Sequence, residues 1–257
     1  MGKFDGYLIC SDLDGTFLYS ETETQNAVAI RYFTENGGRF TFATGRAADH
    51  LRQRDLLPLI NAPACLCNGS LVYDYSTETV LKECLVDFPV GSFLRAIQGT
   101  PEPVHRLDIM LPEKEGGHMY FDDLNAVPAK DQALQPYKLI CRFETPEKAD
   151  IFKAFALNQP FFSGMYIAKS WPLGVEFNAG NGTKGHALKF IKSHLGNIHT
   201  AIGIGDFEND LPLIQHADLG VAVANAVPAV REAAQMIVCH FREYAIKDLI
   251  ERLEKTL

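Results

Sequence analysis

Asp12 and Asp14, in Asp12-Leu13-Asp14-Gly15-Thr16, are two carboxylates spaced two residues apart at the end of the apolar run Tyr7 to Cys10. Side chains at i and i+2 of an extended segment point the same way, so both can face one ligand while Gly15 lets the chain turn away. Two anions held that close call for a cation between them. A polar turn is the plainer reading of the same five residues.

Three further clusters offer chemistry that would complement such a site. In Phe42-Ala43-Thr44-Gly45-Arg46 a strand-like run opens into a helix, where the Thr44 hydroxyl and the N–H of Gly45 can hold phosphate oxygens. Thr44 is equally suited to be an ordinary N-cap. Lys184, in Thr183-Lys184-Gly185, puts a cation at the start of a helix, the wrong end for the dipole, which favours an anionic ligand over a solvated lysine. Gly205-Asp206-Phe207-Glu208-Asn209-Asp210 follows the run Ala201 to Ile204, so Asp206 can reach a metal held by Asp12. Its alternative is a helix cap by Asp206 with Asn209 and Asp210 solvated.

These clusters need elements to position them. Periodicity predicts strands over Tyr7–Leu13, Arg39–Ala43, Thr200–Ile204 and Leu219–Val223. It predicts helices over Gln25–Glu35, Ala47–Leu56, Lys184–Ser193 and Asp210–His216. Such alternation implies a doubly wound parallel sheet, in which ligands collect at the carboxyl ends of strands near a switch point. Ile246, Leu249, Ile250 and Leu253 stand at helical spacing and should pack a last helix on that sheet.

Between about Leu81 and Asn178 the texture changes. Helix-like segments at Val90–Ile97 and Glu147–Ala156 each accompany a pair of strand-like runs, Val104–Leu111 with His118–Phe121 and Phe161–Ala168 with Leu173–Phe177. An inserted α+β domain over residues 81–178, in a core of residues 1–80 and 179–257, accounts for this, and the two crossings would form a hinge.

Composition removes several classes. At 257 residues and 47% hydrophobic content the chain can bury a substantial core. A formal charge of −8 without a block of Lys and Arg leaves little for a nucleic-acid surface. No stretch approaches the roughly 20 apolar residues of a membrane span, so the expectation is a soluble cytoplasmic protein. Six scattered cysteines, with Cys65 and Cys67 two apart, look like small core hydrophobes rather than zinc ligands.

In this order and spacing the clusters resemble the four motifs of the haloacid dehalogenase-like (HAD) phosphatase superfamily, across essentially the whole chain. Asp12 to Thr16 match the first motif, Thr44-Gly45-Arg46 the second, Lys184 the third, and Gly205-Asp206 with Asn209-Asp210 the fourth. The insertion between the second and third motifs is similar to the branch with a large α/β cap of the C2 type, mostly sugar-phosphatase-like hydrolases. Gly220 to Ala226 resemble that branch's strand and turn after the fourth motif. Arg242-Glu243-Tyr244-Ala245 departs from it, lacking an acidic-Gly turn.

The resemblance implies a Rossmann-like core and Mg²⁺-dependent hydrolysis of a small phosphorylated metabolite, a sugar phosphate foremost, through an aspartyl phosphate. It makes Asp12 the nucleophile and Asp14 the acid/base, with Mg²⁺ held by Asp12, Asp206 and the backbone carbonyl of Asp14. Thr44, Gly45, Lys184 and Asn209 would bind phosphate, and Asp210 would support the metal. Arg46 is open between a substrate contact and a carboxylate partner, and Asn68 between a hairpin turn and a substrate contact. The rivals are a phosphosugar mutase or other phosphotransferase, a metal-dependent glycosyltransferase, and a non-catalytic phosphometabolite sensor. Intact carboxylates argue against the sensor, because they repel the anion it would bind.

Overall fold

The computed structural model describes residues 2–17 and 24–257. Five parallel strands form the central sheet, in the order Met236–Val238, Leu219–Val223, Thr200–Gly205, Tyr7–Ser11 and Arg39–Phe42. Sequence order reverses between Tyr7–Ser11 and Thr200–Gly205, the switch point at which α/β sheets bind ligands. Ile9 pairs with Ile202 and Ser11 with Ile204, a register that brings the carboxyl ends of the two strands level.

Burial explains why the strand sequences are continuously apolar. Leu8 and Cys10 pack with Ala187, Leu188 and Ile191 of the helix Lys184–Leu195, and Ile9 between them is equally buried. Both faces of the strand are therefore covered, as a parallel sheet requires. Helix Gln25–Glu35 starts where Thr24 accepts from the Ala27 N–H, and it buries Ala27, Ile30 and Phe33 at helical spacing. The last helix, Ala245–Thr256, buries Ala245, Ile246, Leu249, Ile250 and Leu253. Its Lys247 N–H donates to Asn26 Oδ1 at 3.0 Å, tying the two helices together. The strands Ala64–Leu66, Leu71–Asp74 and Thr79–Glu83 form a small separate sheet. Five cysteines are buried, and burial pushes the Cys10 thiol up to about 12, so it behaves as a small hydrophobe. No helix among the described residues is long and apolar enough to cross a membrane.

The chain divides into two compact units, residues 2–82 with 184–257 and residues 83–183. The second unit holds a five-stranded antiparallel sheet in the order His118–Phe121, Arg106–Met110, Lys138–Arg142, Gly174–Ala179 and Met165–Trp171. Helices Val90–Ala96 and Pro146–Leu157 supply Phe93 and Phe152, whose rings lie 4.9 and 6.1 Å from that of Phe177 in an aromatic core. The strand Lys138–Arg142, which periodicity does not predict, is the middle strand of this sheet. Leu139 and Cys141 enter the core, while Lys138 pairs with Glu176 at 3.0 Å, both buried.

Candidate active site

Asp12 directly follows its strand, where its N–H donates to the Ile204 carbonyl at 2.8 Å, and its side chain is buried. Lys184, wholly buried at the first position of its helix, donates to Asp12 Oδ1 and to Asp210 Oδ1, each at 2.6 Å. The misplaced lysine of the sequence is thus neutralised from within the chain. The other oxygen of Asp210 accepts from the Asp206 and Phe207 N–H groups at 2.9 and 3.2 Å, which pins the loop carrying Asp206. Gly205 is required here, since a Cβ on it would lie 2.4 Å from Asp210 Cγ.

Asp12, Asp206 and Asp210 each offer a carboxylate oxygen within 4.8 Å of the others. Two unit charges at that distance repel by about 3.5 kcal/mol at an effective dielectric near 20. Burial first, then Asp210, holds the Asp12 carboxyl well above the usual aspartate range despite the attraction of Lys184. Burial and Asp210 likewise raise Asp206 to about 7. Burial opposes the charge on Lys184, yet Asp12 and Asp210 together hold its pKa above the ordinary lysine value. Three ionised carboxylates with one ammonium leave a net charge of −2, which a divalent cation would balance. The donors are hard oxygens without His or Cys, and Asp210 is already engaged by Lys184 and the loop N–H groups. Asp12 and Asp206 are therefore the carboxylates available to a cation such as Mg²⁺, which takes one or two carboxylates and keeps several waters.

Gly15 adopts a φ of +88°, and a Cβ there would lie 2.4 Å from Asp206 Oδ2. The loop after Asp12 thereby packs against the second carboxylate, and Thr16 Oγ1 donates to Asp206 Oδ1 at 3.3 Å. Nothing in the sequence alone assigns Thr16 that bond. Asp14 is half exposed and stands outside the three-carboxylate group. Arg46 clasps it in a two-pronged ion pair, Nε to Oδ2 at 2.7 Å and Nη2 to Oδ1 at 2.9 Å. Of the two roles open to Arg46, the carboxylate partner is the one seen.

Thr44 differs from expectation. Helix Ala48–Gln53 starts four residues later, with Ala47 rather than Thr44 at its N-cap. The Thr44 N–H donates to the Cys65 carbonyl at 2.9 Å, so it is not an open helix-end donor. Thr44 is fully buried, and its Oγ1 accepts from the Arg46 N–H at 3.2 Å, which curls the Thr44-Gly45-Arg46 segment. The Asn68 N–H donates to the Thr44 carbonyl at 3.0 Å and the Cys67 N–H to that of Arg46 at 3.0 Å, so residues 67 and 68 brace this loop.

Asn68 sits in the turn between strands Ala64–Leu66 and Leu71–Asp74, at a φ of +62°. Its Oδ1 accepts from Asn209 Nδ2 at 3.2 Å, joining the Thr44 loop to the Asp206 loop. Asn68 thus serves as the hairpin residue and also braces the site, a role its position in the sequence does not reveal.

A family model for haloacid dehalogenase-like hydrolases matches residues 9–250. The chain is 26% identical to a pyridoxal phosphate phosphatase of Escherichia coli, over 90% of this chain and 92% of that one. It is 24% identical to a 5-amino-6-(5-phospho-D-ribitylamino)uracil phosphatase of Bacillus subtilis, over 90% and 88%. A HAD subclass IIB sugar phosphatase superposes with a TM-score of 0.74 at 18% identity, over 96% and 98% of the two chains. With a match spanning nearly its whole length, the chain belongs to the haloacid dehalogenase-like hydrolase family.

Proposed function

We propose that the enzyme is a Mg²⁺-dependent phosphatase of small phosphorylated metabolites, sugar phosphates foremost, acting through a phosphorylated Asp12. The observation that carries this reading is the buried Asp12, bonded to Lys184 and grouped with Asp206 at the switch point of the sheet. Relatives that act on pyridoxal phosphate and on a phosphoribitylamino-uracil support the substrate class, since both substrates are phosphorylated small metabolites.

In this mechanism Lys184 holds one oxygen of Asp12, and the other attacks phosphorus as the ester P–O bond breaks. Asp14 gives its proton to the departing alkoxide, then takes one from the water that attacks the phosphorylated Asp12. That step releases phosphate and returns Asp12 as carboxylate. Arg46 must release Asp14, or share it, for these proton transfers. Lys184, Thr44, Gly45 and Asn209 orient the phosphoryl oxygens, and Asp210 keeps Lys184 and the Asp206 loop in place. Mg²⁺, held by Asp12, Asp206 and the backbone carbonyl of Asp14, would neutralise charge on the transferring group. Residues 83–183 are assigned the choice of leaving group.

Phosphate release from a panel of sugar phosphates, nucleotides, pyridoxal phosphate and flavin mononucleotide, with and without Mg²⁺, tests the reading. Mg²⁺-dependent release is expected, with none from Asp12→Asn. Turnover by purified Asp12→Asn would sink the nucleophile. Isomerised sugar phosphate without free phosphate would replace the phosphatase by a mutase.

A further inference from the structure

The turn after strand Leu219–Val223 reaches both loops that carry the site. Asn225 Nδ2 donates to the Gly15 carbonyl at 2.8 Å, and its Oδ1 accepts from the Phe241 N–H at 3.0 Å. Two residues on, the Val227 N–H donates to the Asp206 carbonyl at 2.9 Å. The turn itself is closed by the Ala226 N–H on the Val223 carbonyl, also at 2.9 Å. One three-residue segment therefore holds the backbone of Gly15 and that of Asp206.

We propose that Asn225 is a positioning residue for phosphoryl transfer, acting through the Gly15 peptide. The inference rests on the phosphatase reading of the site. Glycine visits both signs of φ at little cost, so its own sterics do not fix the Gly15 conformation, and an external restraint must. Gly15 lies between Asp14, the acid/base, and Thr16, which bonds Asp206. The held carbonyl belongs to the peptide that joins Gly15 to Thr16, so its release would slacken the Thr16 bond to Asp206 and loosen the turn that follows Asp14. The anchor behind Asn225 is firm. Phe241 opens the short turn Phe241–Glu243, and the Cys239 N–H donates to Asp248 Oδ2 on the last helix, whose apolar face is buried. The Asn225 carboxamide uses its donor on one loop and its acceptor on the other, from two different atoms of one rigid plane.

The test compares three variants with 4-nitrophenyl phosphate and Mg²⁺, alongside amide hydrogen exchange by mass spectrometry. Asn225→Ala removes both bonds. Asn225→Asp is isosteric, keeps the acceptor for Phe241 and loses the donor to Gly15. Phe241→Pro removes the Phe241 N–H, along with a ring stacked on His240 at 4.9 Å, and leaves the Gly15 bond, at the first position of a helical turn where proline is tolerated.

For Asn225→Ala and Asn225→Asp, kcat should fall by about tenfold or more with KM within about twofold of wild type, the signature of misplaced chemistry. Exchange in residues 13–17 should quicken by about tenfold while Tyr7–Ser11 stays protected. Phe241→Pro should stay within about threefold of wild type in kcat. The inference is overturned if Asn225→Asp leaves both kcat and exchange at wild-type values, or if Phe241→Pro loses as much as Asn225→Asp. Should Asn225→Ala fail to fold, the isosteric Asn225→Asp decides the question alone. If the wild type itself released no phosphate from any ester, the phosphatase reading would fall, and exchange at residues 13–17 would still decide whether Asn225 holds the loop.

Discussion

Asp206 is a carboxylate whose ionisation costs the fold. Burial and Asp210 raise it to about 7, above the 3.8 of an ordinary aspartate. Between those values the folded chain keeps a proton that the unfolded chain releases. This contribution to stability is complete below about pH 4 and is lost as pH rises through 7. In EDTA, Asp206→Asn should therefore melt slightly above wild type at pH 5, which lies above the unfolded pKa, and further above it at pH 8. Saturating Mg²⁺ should reverse the order, because the cation binds the folded wild type and stabilises it by mass action. Thermal melts at the two pH values, with and without the metal, check this, and identical shifts in all four would refute it. Asp14→Asn is expected to slow turnover about a hundredfold or more while leaving the melting temperature nearly unchanged, since the group is half exposed and its ion pair with Arg46 contributes little.

Loops at strand ends, together with the first turn of helix Lys184–Leu195, carry the site, and this explains what the sequence did and did not disclose. Asp12 and the Asp206–Asp210 loop were legible because polar residues at the mouths of apolar strands stand out against their surroundings, and Lys184 because a cation at the start of a helix is misplaced for the dipole. The brace from Asn68 to Asn209 was not, since it joins residues 141 positions apart whose types read as a turn and a solvated cap. The strand Lys138–Arg142 was missed for a related reason. Lysine and arginine at its ends look like surface, yet Lys138 is buried with Glu176. Gly15 tests the loop as an element. Gly15→Ala would force an L side chain to φ +88° and set its Cβ 2.4 Å from Asp206 Oδ2. A loss of about 1–3 kcal/mol in urea unfolding is expected, with Mg²⁺ affinity falling in parallel. Retained affinity would show that the Asp206 loop shifts without cost.

At the scale of the molecule, the ends of each unit lie close together within that unit. Cys84 Sγ reaches the Asn181 carbonyl at 3.9 Å in one, and the Lys82 ammonium lies 5.9 Å from the Phe190 ring in the other. Leu81 also packs against the cluster that includes Leu188 and Ile191. A chain that leaves and re-enters a unit at neighbouring points can be cut there with little loss of packing. Joining residue 82 to residue 184 through a short Gly-Ser linker should then give a protein that melts cooperatively and binds Mg²⁺ like the whole chain, because Asp12, Lys184, Asp206 and Asp210 all belong to the retained unit. If residues 83–183 choose the leaving group, the excised protein should hydrolyse 4-nitrophenyl phosphate yet lose its ranking among metabolite esters. An unchanged ranking of kcat/KM would place discrimination in the parallel-sheet unit itself. Residues 83–183 expressed alone should fold as well, since Phe93, Phe152, Phe162 and Phe177 form a core drawn wholly from that segment.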